Sequence, residues 1–587
     1  MRNLKRILPT ALAWALFNGS INTYALEPTD VTMDGLFHLV DFETQEILEG
    51  AYGSFRDAKS VYNNIKEDYT NLGIVKDGET YEAEYALSLF KVNDACDFEI
   101  TYTNTSDGTE GTLNGCYGVD AAYLYTDDEG QYATFSLSGV TGQTALENVT
   151  VVPLQNVYVN LSMFTVQDGI LYHMIKGEME DDYFAYIVSH GTAPSYLEEG
   201  RAYYSYDGHY FYSDDMLYQM LDDYRSGIRN NSVNSEDPWY DWYQFVSHRT
   251  ITHATMEQLR TYFYEQMGLK GPITSYLDND KDGTHDVLNE SQFYGLEDSF
   301  FQYQYEFGAN ALMMLAISQL ESSDGRSSLS FTRNNLYSHA AYDSEAEAEK
   351  GRYSDIRNSI YSHAKYYLSG SYLSPMKEQY NGGFFGNKSA GMNVRYSSDP
   401  YWGEKAAAAY RALDEALGAN DSSQVRLGIR TVEDETIVYK DPSTETPLYT
   451  TGEMPDMAFV ILGEESNDTG DWYKIQSDAT LDDNHAVDLS YYYRWKEDVA
   501  YIKQDSVQII LNDPVEEASY ATVTFRADGG RFPGGEKEVV YELPSGSDAI
   551  IAVPQKDHAE FTGYDMDTAV VDADIEYTAQ YRALNDV

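Results

Sequence analysis

The sequence predicts a multidomain α+β protein, and three observations carry that prediction. The chain has 587 residues, which at roughly 150 residues per domain makes about four domains. Side-chain periodicity changes twice, from strand-like to helical near residue 204 and back to strand-like after residue 420. Hydrophobic residues at 42% and 54 tyrosines provide apolar surface for several cores, a composition unlike that of an acidic disordered chain.

Residues 1–25 read as a secretory signal peptide. Arg2, Lys5 and Arg6 precede a nearly all-apolar run at 7–17, and Thr23-Tyr24-Ala25 offers small residues at the two outer cleavage positions. The run is too short for a membrane span, and no later stretch reaches the ~18 apolar residues a span needs. An exported, soluble mature chain is expected. Its formal charge of −57 argues against electrostatic binding to nucleic acid or anionic lipid. Two cysteines rule out a disulfide scaffold and an all-cysteine zinc site. In an oxidising compartment Cys96 and Cys116 are expected to pair.

From 26 to 203 the pattern is mostly strand. "FEITYT", "ATFSLSGV" and "NVYVNLSMFTVQDGILYHMI" are β-branched and aromatic, divided by Gly/Asp turns. One helix, "FRDAKSVYNNIKEDY", interrupts early. This region holds no catalytic constellation in sequence, so a structural or docking role is expected.

From 204 to 420 helices are expected. "THATMEQLRTYFYEQMG" has Thr255 and Gln258 at capping-box spacing and stops at Gly268. "LEDSFFQYQYEF" closes at Gly308, "ALMMLAISQLE" follows Asn310 as N-cap, and "PYWGEKAAAAYRALDEALG" ends at Gly418. Residues 424–512 then give short strands of small-barrel length. A Pro/Glu linker leads to a last β module at 519–585.

The chemistry concentrates in "EFGANALMMLAISQLESSDGRSSLSFTRNNLYS". Its helix is apolar nearly all round, so burial is expected. Glu321 lies four residues after Ile317, on the flank of the buried face. A carboxyl held against apolar side chains has its charged form desolvated and its pKa raised, as a general acid for glycosidic cleavage requires. On position alone a solvated glutamate at a helix end is the favoured reading.

The same stretch resembles the catalytic motif of glycoside hydrolase family 73, the bacterial peptidoglycan glucosaminidases. The resemblance lies in Glu321-Ser322, Gly325, Ser327 and Asn334-Asn335-Leu336-Tyr337. A second block, "GMNVRYSSDPYWGEKAA" at 391–407, resembles the Asn-x-Arg-Tyr-x-x-Asp-Pro-x-Trp-Gly segment of longer members. Between them, "RYSDIRNSIYSHAKYYLSGSYL" resembles the family's helix pair. The turn reads Ser323-Asp324-Gly325, where many members have Gly-aromatic-Gly. The resemblance implies a lysozyme-like, mainly α domain over 204–420 with Glu321 as the acid.

A glycosidase usually needs a second carboxylate. Asp343, Glu345, Glu347, Glu349 and Asp355 are candidates, with Asp355 ranked first because it sits in a matched block; the substrate's own acetamido oxygen is the alternative. Tyr337, Tyr401 and Trp402 are candidate faces for pyranose rings and Asn335 a polar edge, although aromatic core packing explains the rings as well. Asp278, Asp280, Asp282 and Asp286 occupy positions one, three, five and nine of an EF-hand-like loop with Gly283 at six, so calcium is a candidate ligand. Position twelve is Asn289 instead of Glu, and no other cofactor is called for. His253, His285, His339 and His363 share no ligand spacing, and no histidine metal site is expected. "GDWYKIQ" resembles a strand of SH3-like wall-binding barrels, and "VTFRADGG", "FTGYD" and "YTAQY" resemble β-grasp surface repeats.

The reading is a secreted, wall-associated peptidoglycan hydrolase cutting the β-1,4 bond after N-acetylglucosamine, with glycan strands and wall polymers as partners. Alternatives are a non-catalytic wall-binding or adhesive protein, or an enzyme acting on host N-glycans or wall amide bonds.

Overall fold

A computed structural model describes residues 33–584, apart from 158–160, 180, 340–350, 420, 424, 433, 511–518, 533–534, 546, 549–551 and 567–569. The signal-peptide pattern and the candidates Asp343, Glu345, Glu347 and Glu349 lie outside the described residues. The described chain forms two compact units, one of 33–241 with 386–408 and the other of 242–385 with 409 onward.

The first unit is built from three antiparallel sheets. Four strands pair in the order Glu46–Ile47, Phe37–Asp41, Leu72–Lys76, Glu79–Ala83. Helix α1 (Phe55–Ile65) covers this sheet: Ser54 caps its start by accepting from Asp57 N–H, and Phe55, Ala58 and Tyr62 pack with Phe37, Leu39, Leu72 and Ile74. A seven-stranded sheet runs Val149–Pro153, Ala86–Phe90, Asp120–Thr126, Tyr132–Leu137, Val140–Ala145, Ile100–Asn104, Glu110–Leu113. Strand Ile100–Asn104, next to the edge, alternates buried and exposed residues, whereas Ala86–Phe90 is buried throughout, as expected for a strand covered on one face and on both. Helix α2 (Leu217–Ser226) ends at Gly227 and contributes Met220, Leu221 and Tyr224 to this core. The third sheet contains β1 (Met163–Gln167), β2 (Ile170–Ile175) and β3 (Tyr186–Thr192), extended by Ala202–Tyr204 and Tyr212–Ser213. Cys96 and Cys116 form a disulfide in this unit.

The second unit carries the helices. Helix α3 (Met256–Thr261) opens with the Thr255/Gln258 capping box, and π-helical winding follows over Tyr262–Gln266. Helix α4 (Glu297–Phe307) ends at Gly308, and α5 (Ala311–Ser322) begins from Asn310, which accepts from Leu312 and Met313 N–H. Gly308 is required twice over. Its φ is 66°, and an added Cβ would lie 2.3 Å from Tyr493 Cγ. Helix α6 (Ser328–Arg333) is capped by Ser327 and α7 (Ile356–Ser362) by Asp355. The expected helix pair at 352–373 is instead one continuous helix, because π-helical winding over His363–Tyr372 follows α7 directly with no turn between them. Helix α8 (Trp402–Leu417) has its first turns in the first unit.

A seven-stranded antiparallel sheet follows in the second unit, ordered Pro447–Thr450, Ile437–Tyr439, Val499–Lys503, Gly470–Gln476, Ala458–Asn467, Arg426–Arg430, Val507–Ile509. The last module is a four-stranded sheet, Glu538–Pro544, Tyr520–Arg526, Ile575–Ala583, Ala559–Tyr564, whose central pair is parallel. Arg249, 1% exposed, ties the seven-stranded sheet to the helices. Its guanidinium donates to the carbonyls of Phe307 (2.7 Å), Gly308 (3.0 Å) and Asp478 (3.0 Å) and lies 4.1 Å from the Tyr493 ring centre. Three backbone carbonyls and the Tyr493 ring thus hold this buried cation.

Among the described residues, no helix is long and apolar enough to cross a membrane.

Candidate active site

The site begins with helix α5. Leu312, Met313, Met314, Leu315, Ala316 and Ile317 are fully buried, so the helix is held by the core on all sides and its last turn is rigidly placed. Glu321 lies on that turn and is half-buried. Three successive left-handed residues, Ser323 (φ 51°), Asp324 (φ 58°) and Gly325 (φ 72°), then reverse the chain. Ser322 organises the reversal: its hydroxyl bonds to the Ser318 carbonyl and accepts from Gly325 N–H at 2.8 Å. Its carbonyl accepts from Arg326 and Ser327 N–H at 2.9 and 2.8 Å. Asp324, on the same turn, accepts from Gln319 and Arg326.

The Asn-Asn-Leu-Tyr segment returns to this helix end. Asn334 (φ 52°) ends α6 and donates from Nδ2 to the Tyr353 carbonyl. Ser338 donates to the backbone carbonyl of Glu321 at 3.0 Å, fixing the turn that carries the carboxylate. Asn335 is 1% exposed. Its Nδ2 donates to His339 O at 2.8 Å, and its Oδ1 accepts from the N–H groups of Tyr337 and His339, both at 3.2 Å. The amide read in sequence as a polar edge for sugar is spent within the loop.

Tyr337 likewise faces inward. It is 2% exposed and stacks flat on His363 at 3.7 Å between centroids. The segment's apolar residues Leu336 and Tyr337 fill the core beneath the turn, so this ring has no open face for a pyranose. His339 extends the stack: its ring lies 3.7 Å from Tyr367 and parallel to it, its Nε2 is 3.1 Å from His363 Nδ1, and its Nδ1 is 2.8 Å from Tyr353 Oη. Desolvation pushes His339 down to about 3 and His363 well below the ordinary histidine range. Both rings are therefore neutral at pH 7 and act as hydrogen-bonding core residues.

The other sequence candidates are placed as follows. Asp355 is exposed and accepts from Arg357 N–H as the N-cap of α7. Tyr401 and Trp402 belong to the first unit, where Tyr401 packs edge-on against His173 and Trp402 stacks on Tyr396 at 4.4 Å; they are 2% and 5% exposed. Asp278, Asp280 and Asp282 bring carboxylate oxygens within 4.8 Å of one another. Asp286 instead accepts from the backbone and side chain of Asn279.

Residues 297–415 match the family model described as mannosyl-glycoprotein endo-beta-N-acetylglucosaminidase. Two proteins from different strains of Streptococcus pneumoniae, assigned by name as endo-beta-N-acetylglucosaminidases, are each 34% identical over 134 residues, 23% of this chain. The chain covers 20% and 18% of the length of these relatives. Solved structures of S. aureus autolysin E align with 30% of this chain and 73% of theirs, at 12–13% identity and TM-scores of 0.20–0.21. Residues 297–415, which begin with α4 and end within α8, are a domain of the glucosaminidase family.

Proposed function

We propose that this protein is a secreted peptidoglycan hydrolase that cleaves the β-1,4 bond after N-acetylglucosamine, with Glu321 as general acid. One observation carries the reading: within the family-matched segment, Glu321 stands at the half-buried end of a helix whose residues 311–318 are core, and Ser338 holds its backbone. A carboxyl so placed donates its proton to the leaving glycosidic oxygen as the bond to the anomeric carbon breaks. Positive charge then builds on the sugar ring. It is met either by water activated by a second carboxylate or by the substrate's acetamido oxygen. The exposed, cap-forming position of Asp355 supports the second route.

In the same reading the segment at 1–25 exports the chain, and the seven-stranded and four-stranded sheets are SH3-like and β-grasp modules that hold it at the wall. Such tethering raises the local concentration of glycan without any new contact at the site. The Asp278–Asp280–Asp282 loop is a candidate for calcium.

Glu321→Gln tests the proposal. Glutamine keeps the size of the side chain but has no acidic proton, so hydrolysis of purified peptidoglycan is expected to fall at least about a hundredfold with an unchanged unfolding transition. Asp355→Asn is expected to change activity by less than about threefold, since asparagine also caps helices. Substantial hydrolysis by Glu321→Gln would remove the assignment. A hundredfold loss in Asp355→Asn would make Asp355 the second carboxylate.

A further inference from the structure

Two histidines that share no local motif meet in the third sheet of the first unit. His173 on β2 pairs in register with Val188 on β3. His190 lies two residues beyond Val188 and so on the same face of the sheet. A bulge falls here, because Tyr172 pairs with Ser189 but Ile170 pairs with Thr192, and Gly191 takes a left-handed φ of 74°. Bulges of this kind re-aim a side chain, and this one brings the two imidazole centres to 6.5 Å.

A carboxylate lies between them. Glu404, on the first turn of α8, places Oε2 2.8 Å from His173 Nδ1 and 3.4 Å from His190 Nε2. On the far side of His190, Asp241 Oδ2 is 2.9 Å from Nδ1. His173, His190, Asp241 and Glu404 are 1%, 5%, 4% and 7% exposed. Phe164 stacks on His173 at 4.0 Å, and Trp239 stands edge-on to His190 at 5.3 Å, giving the cluster apolar walls. Asp241 engages His190 at Nδ1, and Nε2, aimed at Glu404, makes no well-formed hydrogen bond.

We propose that His173 Nδ1, His190 Nε2 and Glu404 form a zinc site whose fourth position is left to water, with Asp241 as the positioning residue that orients His190. Zinc takes imidazole and carboxylate ligands at about 2.0–2.2 Å in a tetrahedron, which sets neighbouring ligand atoms about 3.3–3.5 Å apart. The His190–Glu404 separation of 3.4 Å already matches, and a small rotation of Glu404 opens the 2.8 Å contact with His173. A carboxylate behind a metal-bound histidine is the usual arrangement that fixes its tautomer. The charges agree as well. Glu404 and Asp241 put two carboxylates out of water in one cluster, and a divalent cation would offset their charge.

The test is the metal content and thermal unfolding of the full-length protein, stripped with a chelator and then titrated with zinc alone. The expected result is about one zinc per chain, a higher melting temperature on reloading, and a visible tetrahedral spectrum when cobalt is substituted. Asp241→Asn keeps all three ligands and should weaken zinc about 10–100-fold, whereas Glu404→Gln should abolish binding. Asp282→Asn, in the separate acidic loop, should leave zinc binding unchanged. If Glu404→Gln fails to fold, the wild-type stoichiometry and the Asp241→Asn shift decide. Less than about a tenth of a zinc per reloaded chain, or full affinity in Asp241→Asn, would overturn the proposal and leave a hydrogen-bonded histidine–carboxylate network.

Discussion

Asn335 separates a residue that builds the site from one that binds sugar. Its side chain makes three hydrogen bonds within the 335–339 loop, all in a place 1% exposed. Gly351 closes over it, where an added Cβ would lie 2.1 Å from His339 O. Asn335→Ala removes all three partners and leaves two N–H groups and one carbonyl buried. At about 0.5–1.5 kcal/mol net per bond, the loss is about 3 kcal/mol. A domain of some 150–250 residues shifts by about 2–4 °C per kcal/mol, so the melting temperature should fall by about 6–12 °C. Asn335→Asp keeps both acceptor bonds but faces the His339 carbonyl with an oxygen, and should lose stability while retaining the loop's shape. The assay is thermal unfolding by circular dichroism alongside kcat and KM on peptidoglycan fragments. The structural role predicts a large drop in melting temperature, with KM little changed below the transition. An unchanged melting temperature with a tenfold higher KM would refute it and make Asn335 a sugar contact.

Two other outcomes are expected. The Cys96–Cys116 bond closes a loop with a separation of 20 residues, worth about 3 kcal/mol by chain entropy; a Cys96→Ala/Cys116→Ala double variant should lose that much in urea unfolding, and free thiols in the native protein would defeat the claim. His363 is held neutral, well below its ordinary value of 6.5, so the stability it lends is complete above pH 6.5 and is lost as pH falls below it. Between pH 7.5 and 5.5 this amounts to about 1.4 kcal/mol. His363→Phe, which keeps the stack on Tyr337, should reduce the pH dependence of unfolding by that amount, and equal dependence in variant and wild type would show that His363 is not buried neutral.

The helices were legible because their signals fit within a turn or two. Asn310 before an apolar run, Thr255 and Gln258 three apart, and glycines at 308 and 418 each state a boundary locally, and the structure has a cap or a left-handed residue at each. The π-helical winding over His363–Tyr372 has no such mark, since Gly370 is its one weak helix former and does not specify a change of winding. Tyr337 and Asn335 were visible as a motif, but their inward placement depends on His339, His363 and Tyr367, which only the folded loop assembles. The His173–His190–Glu404 cluster was the least legible. Its members span 231 positions, and a bulge with a glycine, not a spacing rule, aims one of them. A search restricted to histidine spacing could not find it, whereas pairing the two histidine-bearing strands of "ILYHMI" and "YIVSHGT" as a hairpin would have put both rings on one face.

The most direct test of the proposed activity is to digest purified peptidoglycan with the full-length protein, reduce the products with borohydride and identify the reduced sugar by mass spectrometry. Reduced N-acetylglucosamine is expected at the new chain ends and absent from a parallel digest with Glu321→Gln. Reduced N-acetylmuramic acid, free stem peptides without new sugar ends, or no products at all would contradict it.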